Sequence, residues 1–149
     1  MTKDVTWALA ISTTKARILR GLNKDATTDD GEWVITAEHK ELRDIMSDKP
    51  GRSFSSVGHS RSAMEYASDP VQEAERAFVL KALAILEKHR QAGDFNRLVI
   101  AAGPEMLGMI RDALPHLLAD TVIAELPKNL LHDSEQALAK RIADHIFHP

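Results

Sequence analysis

The sequence predicts an α/β protein, a single domain with a mixed sheet of about five strands and helices on its faces. Residues 1–45 carry short apolar runs and apolar–polar alternation, as strands do, whereas the second half alternates apolar runs with helical periodicity. The length of 149 residues fits one domain that spans residues 1–149. A chain of this size buries a core without disulfides or structural metals.

Three successive strands are predicted in the first third of the chain. Val5 to Ile11 is a compact apolar run, typical of a buried strand. Ser12–Thr14 is predicted to form a turn that leads into a second strand, Lys15 to Leu22. Asn23 to Gly31, rich in Asn, Asp and Thr, predicts a loop, and Glu32 to Leu42 predicts a third strand by its alternation. Short connections between these strands imply an antiparallel meander.

A long helix is predicted after the middle of the chain. Asp69 suits its N-cap, Pro70 its first position and Gln72 the capping-box position, and Gly93 is a natural stop. The apolar run from Phe95 to Ala102 then predicts a buried strand.

The remaining elements are a helix, a strand and a helix. Gly103-Pro104 begins a helix that Pro115 interrupts, and Thr121 to Leu126 predicts the last strand. Asp133 and Gln136 have the spacing that caps a terminal helix. The predicted order is therefore β-β-β-loop-α-β-α-β-α.

The segment between the third strand and the long helix, about residues 46–68, has no sustained period and is rich in Gly, Pro and Ser. A loop of this length in a compact domain is unusual and is typically functional or disordered. Between Met46 and Met64 three basic residues stand against Asp48 alone, a local charge of +2 in a chain of net charge −3. Arginine forks bind phosphate oxygens, and glycines let backbone N–H groups approach an anion. The predicted ligand-binding residues are Lys49, Gly51, Arg52, Ser53, Gly58, His59 and Arg61.

Two other interpretations of this loop stay open. Arg52 and Arg61 could instead hold the loop to neighbouring carboxylates, which are Asp44, Asp48 and Glu65. A hydrolase would use His59 as base with Ser60 or Ser62 as nucleophile, which also requires an orienting acid and an oxyanion hole.

Composition narrows the function classes. The chain has no cysteine, which excludes disulfides and thiol chemistry, and its net charge of −3 argues against a general nucleic-acid-binding polycation. His145 and His148 are three residues apart without a third ligand at helical spacing, and the first predicted strand lacks the carboxylate that a two-metal nuclease needs. No glycine pattern for nucleotide phosphates is present. We therefore expect no metal and no cofactor.

No apolar stretch approaches the roughly 20 residues of a membrane span, and the first residues do not fit a secretory signal. A cytoplasmic location without membrane partners is the expectation. An exposed sheet edge would allow a homo-oligomer.

A set of short motifs spans nearly the full length of the chain. They are Trp7, Ala16–Ile18, Ser47–Phe54, Gly58, Arg61–Glu65, Asp69–Pro70, Glu73–Arg76, Phe95–Ala102 and Leu107–Arg111. Through these residues the chain resembles the bacterial host attachment protein family. That family is similar in layout to the middle domain of eukaryotic and archaeal release factors, in a ribonuclease-H-like group of ribosome-associated domains. The Gly-Gly-Gln of release factors is absent here, so the resemblance does not imply peptidyl-tRNA hydrolysis.

Together, the loop and the resemblance predict a cytoplasmic binding protein, not an enzyme, whose loop at 46–64 engages RNA or the ribosome. The alternatives are a hydrolase with His59 as base and an interaction protein that supports attachment to host cells indirectly.

Overall fold

A computed structural model describes residues 3–38 and 69–148. Within these two ranges the strands are β1 (Thr6–Ile11), β2 (Lys15–Leu22), β3 (Thr28–Thr36), β4 (Arg97–Ala101) and β5 (Val122–Leu126). The helices of the same ranges are α1 (Pro70–Gln91), α2 (Pro104–Ala113), α3 (His116–Ala119) and α4 (Glu135–Phe147). Over these ranges the chain is a single α/β unit with a mixed sheet, as the sequence predicts; the predicted loop at 46–68 lies outside the described residues.

The five strands form one sheet in the order β3-β2-β1-β4-β5. The first three strands are antiparallel neighbours, which confirms the predicted meander. Strand β4 pairs with β1 in parallel, and β5 pairs with β4 in parallel. Strands β1, β3, β4 and β5 therefore run in one direction, and only β2 runs in the other.

Alternating side chains of the central strands build two cores, one on each face of the sheet. Trp7, Leu9 and Ile11 of β1 face α1, α2 and α3, where Phe78 and Leu83 are buried. The intervening β1 residues, Ala8 and Ala10, face α4 in a second cluster that includes Leu138 and Ile142. The period of two along a strand thus divides one apolar run between two helical layers.

The N-cap of α1 is the residue that the sequence predicts, whereas the N-cap of α4 is a different one. Asp69 caps α1, with its carboxylate accepting the Val71 N–H at 2.9 Å, and Pro70 is the first helical residue, as predicted. The cap of α4 is Ser134, whose hydroxyl accepts the Ala137 N–H at 3.0 Å, and not the predicted Asp133. Both residue types suit an N-cap, so the pattern alone does not fix which of them takes the position.

Both ends of β3 and one helix also differ from the prediction. Strand β3 begins at Thr28, inside the predicted loop, because pairing with β2 continues past the polar Asp29 and Asp30 to Leu22. It ends at Thr36, before the predicted Leu42, and residues 37–38 lie outside the strand. After Pro115 the chain forms the short helix α3 where no separate helix was predicted. Backbone pairing outweighs the low strand propensity of aspartate in the first case.

Candidate functional site

The predicted ligand-binding residues fall in a part of the chain that the structure does not describe. Lys49, Gly51, Arg52, Ser53, Gly58, His59, Ser60 and Arg61 all lie between residues 39 and 68. The structure describes the residues on either side of that part of the chain. Glu38 follows β3, and Asp69 precedes α1. Residues of both flanks line one groove, in which Thr36–Glu38 face Ala74, Ala77, Phe78 and Lys81 of α1.

The carboxyl ends of β1, β3, β4 and β5 lie at the same edge of the sheet, which we call the carboxyl edge. The helices α2 and α4 begin at this edge because each follows a strand of the same direction. The first turns of α1 lie there too, since Ala74 and Ala77 line the groove beside the end of β3. In open α/β sheets the crevice outside the carboxyl ends of the strands is the usual place for a ligand. The described chain therefore presents its candidate site at the carboxyl edge.

A tight turn of hydroxyl residues leads from β1 into β2 at this edge. The Ser12 N–H donates to the Lys15 carbonyl at 2.9 Å, and the Thr14 N–H donates to the Ser12 hydroxyl at 3.2 Å. The Ala37 N–H donates to the Thr14 carbonyl at 2.9 Å, which ties the turn to the end of β3. The turn is thus held from within and from the neighbouring strand.

A cavity of about 500 Å³ lies beside this turn, and we call it the hydroxyl cavity. Its wall combines the turn with the end of β3 and with the connection between β5 and α4. The lining residues are Ser12, Thr13, Thr14, Lys15, Thr36, Asn129, Leu131 and His132.

A second cavity of about 670 Å³ lies between α1 and α2, and we call it the methionine crevice. Met106 and Met109 give it an apolar wall, while Glu75 and Glu105 give it acidic groups. It shares Ser12, Thr13 and Asn129 with the hydroxyl cavity, so the two meet at the end of β1. The remaining lining residues are Ile11, Gln72, Gly103 and Pro104.

A buried arginine positions the loop that forms one wall of the hydroxyl cavity. The Arg17 guanidinium donates to both carboxylate oxygens of Glu32 on β3. Its Nη1 also donates to the carbonyls of Leu131 and Asp133, at 3.2 and 2.5 Å. Only 5% of Arg17 is exposed, although its alternation with apolar neighbours resembles that of a solvent-facing residue. The residue between these two carbonyls is His132, so the Arg17 contacts fix the backbone on both sides of it.

Two titratable groups of the described ranges have shifted pKa values, and neither lines the hydroxyl cavity or the methionine crevice. Hydrogen bonds from the Thr27 hydroxyl and backbone N–H lower the pKa of Asp25 in the β2–β3 turn. A hydrogen bond to Glu125, together with its charge, raises the pKa of Arg111. Both residues are exposed, so these shifts indicate local pairing on the surface.

No group of three or more His, Asp or Glu residues in ranges 3–38 and 69–148 is arranged to hold a metal ion. No helix within those ranges is long and apolar enough to cross a membrane.

Comparison with known proteins decides the family. The family described as "Protein required for attachment to host cells" matches residues 7–142. The chain belongs to this host attachment family. No curated protein gives a significant match to it. Membership of the family accounts for the resemblance seen in the sequence, and the family description concerns attachment without stating a chemistry.

Sequence reasoning did not select the residues of the hydroxyl cavity. In the sequence Ser12–Thr14 predicts a turn, and no local pattern marks Lys15, Asn129 or His132 as ligand-binding residues. The signal available was the run of three hydroxyl residues at the end of a buried strand, followed by a lysine. That run meets Asn129 and His132 only through the tertiary fold, since more than a hundred residues of chain separate them.

Proposed function

We propose that this host attachment family protein is a cytoplasmic binding protein without catalytic activity, and that it engages the RNA backbone. The basic residues Lys49, Arg52 and Arg61 contact phosphates in this proposal, supported by the polar and glycine positions Gly51, Ser53, Gly58 and His59. The observation that carries the proposal is the position of Glu38 and Asp69. Both ends of the basic segment join the described domain at the carboxyl edge, where α/β proteins bind their ligands.

The charge of the segment favours a phosphate-rich ligand. Three basic side chains stand against one carboxylate between Met46 and Met64, in a chain whose net charge is −3. Because the rest of the molecule is acidic, it does not attract nucleic acid by itself, and binding has to depend on this segment. In this proposal RNA is the source of the phosphates, on ribosomes or on tRNA, because the sequence resemblance predicts a layout similar to that of the middle domain of release factors. That similarity is an argument by analogy of fold.

The test is the affinity of the protein for a fluorescently labelled single-stranded RNA, measured by anisotropy at two salt concentrations. Each phosphate contact to a single strand contributes a slope of about −0.7 to the dependence of log K on log salt. Three contacts predict a loss of affinity of about 18-fold between 50 and 200 mM salt. Replacing Arg52 and Arg61 by alanine leaves one contact and predicts a loss of about 3-fold over the same range.

The matched control removes two basic residues elsewhere. Lys24 and Lys88 are exposed and lie at the opposite edge of the sheet, in the β2–β3 turn and the last turn of α1. The Lys24→Ala/Lys88→Ala variant changes the net charge by the same amount and should keep the wild-type salt dependence. Equal weakening by both double variants would show that net charge, not the segment, controls binding. A salt-insensitive affinity would refute the proposal.

Sedimentation of a lysate through a sucrose gradient tests the cellular ligand. Co-migration with ribosomal particles that is lost in the Arg52→Ala/Arg61→Ala variant supports ribosome association. Migration of both proteins at the top of the gradient contradicts it. The same fractions report self-association. Within residues 3–38 and 69–148 the outer edges of β3 and β5 pair with no further strand, so these edges are the ones available for it.

A further inference from the structure

We propose that the hydroxyl cavity binds a phosphate group, either as free phosphate or as the phosphomonoester of a small molecule. This site is separate from the proposed RNA-binding segment, because its residues lie on β1, β2, β3 and the β5–α4 connection. The inference does not rest on the proposed function, and either can hold without the other.

The cavity is rich in residues that can donate hydrogen bonds. Four hydroxyl-bearing residues line it, and hydroxyls donate readily to phosphate oxygens. These residues are Ser12, Thr13, Thr14 and Thr36. Asn129 adds a further donor, since its side-chain oxygen accepts the Leu131 N–H at 3.1 Å and leaves the amide NH₂ available.

The charge of the cavity lining also favours an anion. Lys15 and His132 line the cavity, and its described lining residues include no Asp or Glu. Within residues 3–38 and 69–148, no ion pair or hydrogen bond occupies the Lys15 amine or the His132 ring. A lysine ammonium held beside several hydroxyls is a typical phosphate-binding group.

The adjoining methionine crevice differs from the hydroxyl cavity in the charge of its lining residues. Glu75 and Glu105 line that crevice, so an anion is repelled there and attracted on the side of Lys15. A ligand that extends across Ser12 and Thr13 would place its phosphate in the hydroxyl cavity and its remaining part toward Met106. A volume of about 500 Å³ is within the range of small-molecule sites.

The backbone around the hydroxyl cavity is held in place by hydrogen bonds. The β1–β2 turn is held by its own hydrogen bonds and by the Ala37 N–H, and the wall around His132 is held by the Arg17 guanidinium. Groups that are already positioned lose little conformational entropy when a ligand binds. The cavity is therefore built on fixed backbone on two sides.

The experiment is an NMR titration of the full chain with inorganic phosphate, AMP and adenosine at constant ionic strength. We expect saturable shifts of the backbone amides of Thr13, Thr14, Lys15 and His132, with a dissociation constant of about 1 mM or tighter for the phosphate-bearing probes. Equal affinity for phosphate and AMP identifies the free anion as sufficient, and tighter binding of AMP identifies a phosphomonoester. Adenosine that binds as well as AMP would overturn the proposal, as would shifts confined to other parts of the chain.

Two variants test the donors separately. Lys15→Met removes the charge and keeps the length of the side chain, and should weaken phosphate binding about 10-fold or more. Thr13→Val keeps the shape of the side chain and removes one hydroxyl, so it should weaken binding less and leave the fold intact. Lys88→Met, at the opposite edge, is the matched charge control and should bind as the wild type does.

The Arg52→Ala/Arg61→Ala variant separates this inference from the proposed function. It should bind AMP as tightly as the wild type, whatever happens to its affinity for RNA. Loss of AMP binding in that variant, with full binding in Lys15→Met, would place the phosphate outside the hydroxyl cavity and refute the inference.

Discussion

Replacing Arg17 by methionine tests how the fold positions the wall of the hydroxyl cavity. Arg17 is buried on β2, where its guanidinium pairs with Glu32 and also donates to the Leu131 and Asp133 carbonyls. The exposed fractions of the two charged side chains are 6% for Arg17 and 10% for Glu32. Methionine fills much of the same volume without donating, so the substitution leaves a buried carboxylate, the buried Leu131 carbonyl and the partly buried Asp133 carbonyl without their partner.

The size of the effect follows from that burial. Removing one partner of a buried ion pair costs about 3–5 kcal/mol, because the remaining charge stays desolvated and uncompensated. Against a total stability of about 5–15 kcal/mol this is a large fraction. For a domain of this length the melting temperature should fall by about 6–20 °C.

Urea denaturation followed by tryptophan fluorescence measures this change. Trp7 is buried, with its ring 4.8 Å from Phe95 and 5.7 Å from Trp33, so both tryptophans report on the core. With an m-value of about 2 kcal/mol/M, the midpoint of Arg17→Met should fall by about 1.5–2.5 M urea.

A second substitution distinguishes the buried charge from lost packing. Adding Glu32→Leu to Arg17→Met removes the orphaned carboxylate and should restore part of the lost stability. Arg111→Met breaks an exposed pair with Glu125 and serves as the control, with a midpoint close to the wild type. If Arg17→Met shifts the midpoint no more than Arg111→Met does, the pair does not hold the loop and the reasoning is refuted. If the double variant is less stable than Arg17→Met, the orphaned charge is not the cause.

Two further predictions concern backbone conformation and pH. Gly21 has φ +74°, and an added Cβ would lie 2.9 Å from the Asp29 Cβ, so Gly21→Ala should destabilise the protein by about 1–3 kcal/mol in the same urea assay. Gly108→Ala, in the middle of α2 with no atom within 4 Å of the added Cβ, should instead stabilise it by about 0.5–1 kcal/mol, and equal effects would contradict the argument. The Thr27 hydrogen bonds lower the pKa of Asp25 below the ordinary 3.8, so they stabilise the fold above that pH, and the contribution is lost as the pH falls through the lowered pKa. NMR titration should give a midpoint below 3.8 that rises in Thr27→Val, and an unchanged midpoint would exclude the hydroxyl as the cause.

Much of the fold could be predicted because its signals are local. The apolar run before Ile11, the Asp69-Pro70 start of α1 and the break at Pro115 each act through neighbouring residues, and the structure places elements accordingly. The start of β3 was not predictable in this way. It depends on the partner strand, since hydrogen bonding to β2 keeps Asp29 and Asp30 extended.

The candidate site also has one part that the sequence predicts and one part that depends on the tertiary structure. The basic segment was recognisable from composition alone, and its role stays a prediction because residues 39–68 lie outside the described ranges. The sequence shows part of the hydroxyl cavity, the hydroxyl run that ends in Lys15, but it does not show that His132 joins this run, because the two residues are 117 positions apart.

By itself, then, the sequence determined the α/β class, the meander, the capped long helix and the family resemblance, since periodicity, caps and motifs act over a few residues. Only the tertiary structure decided the order of the strands and which face of the sheet each helix covers. It also decided that Arg17 is buried and bonded to the carbonyls on either side of His132. The physical reason is that a buried guanidinium is stable only where its partners meet it. Those partners lie on β3 and in the β5–α4 connection, which are far apart in the sequence and meet only in the folded protein.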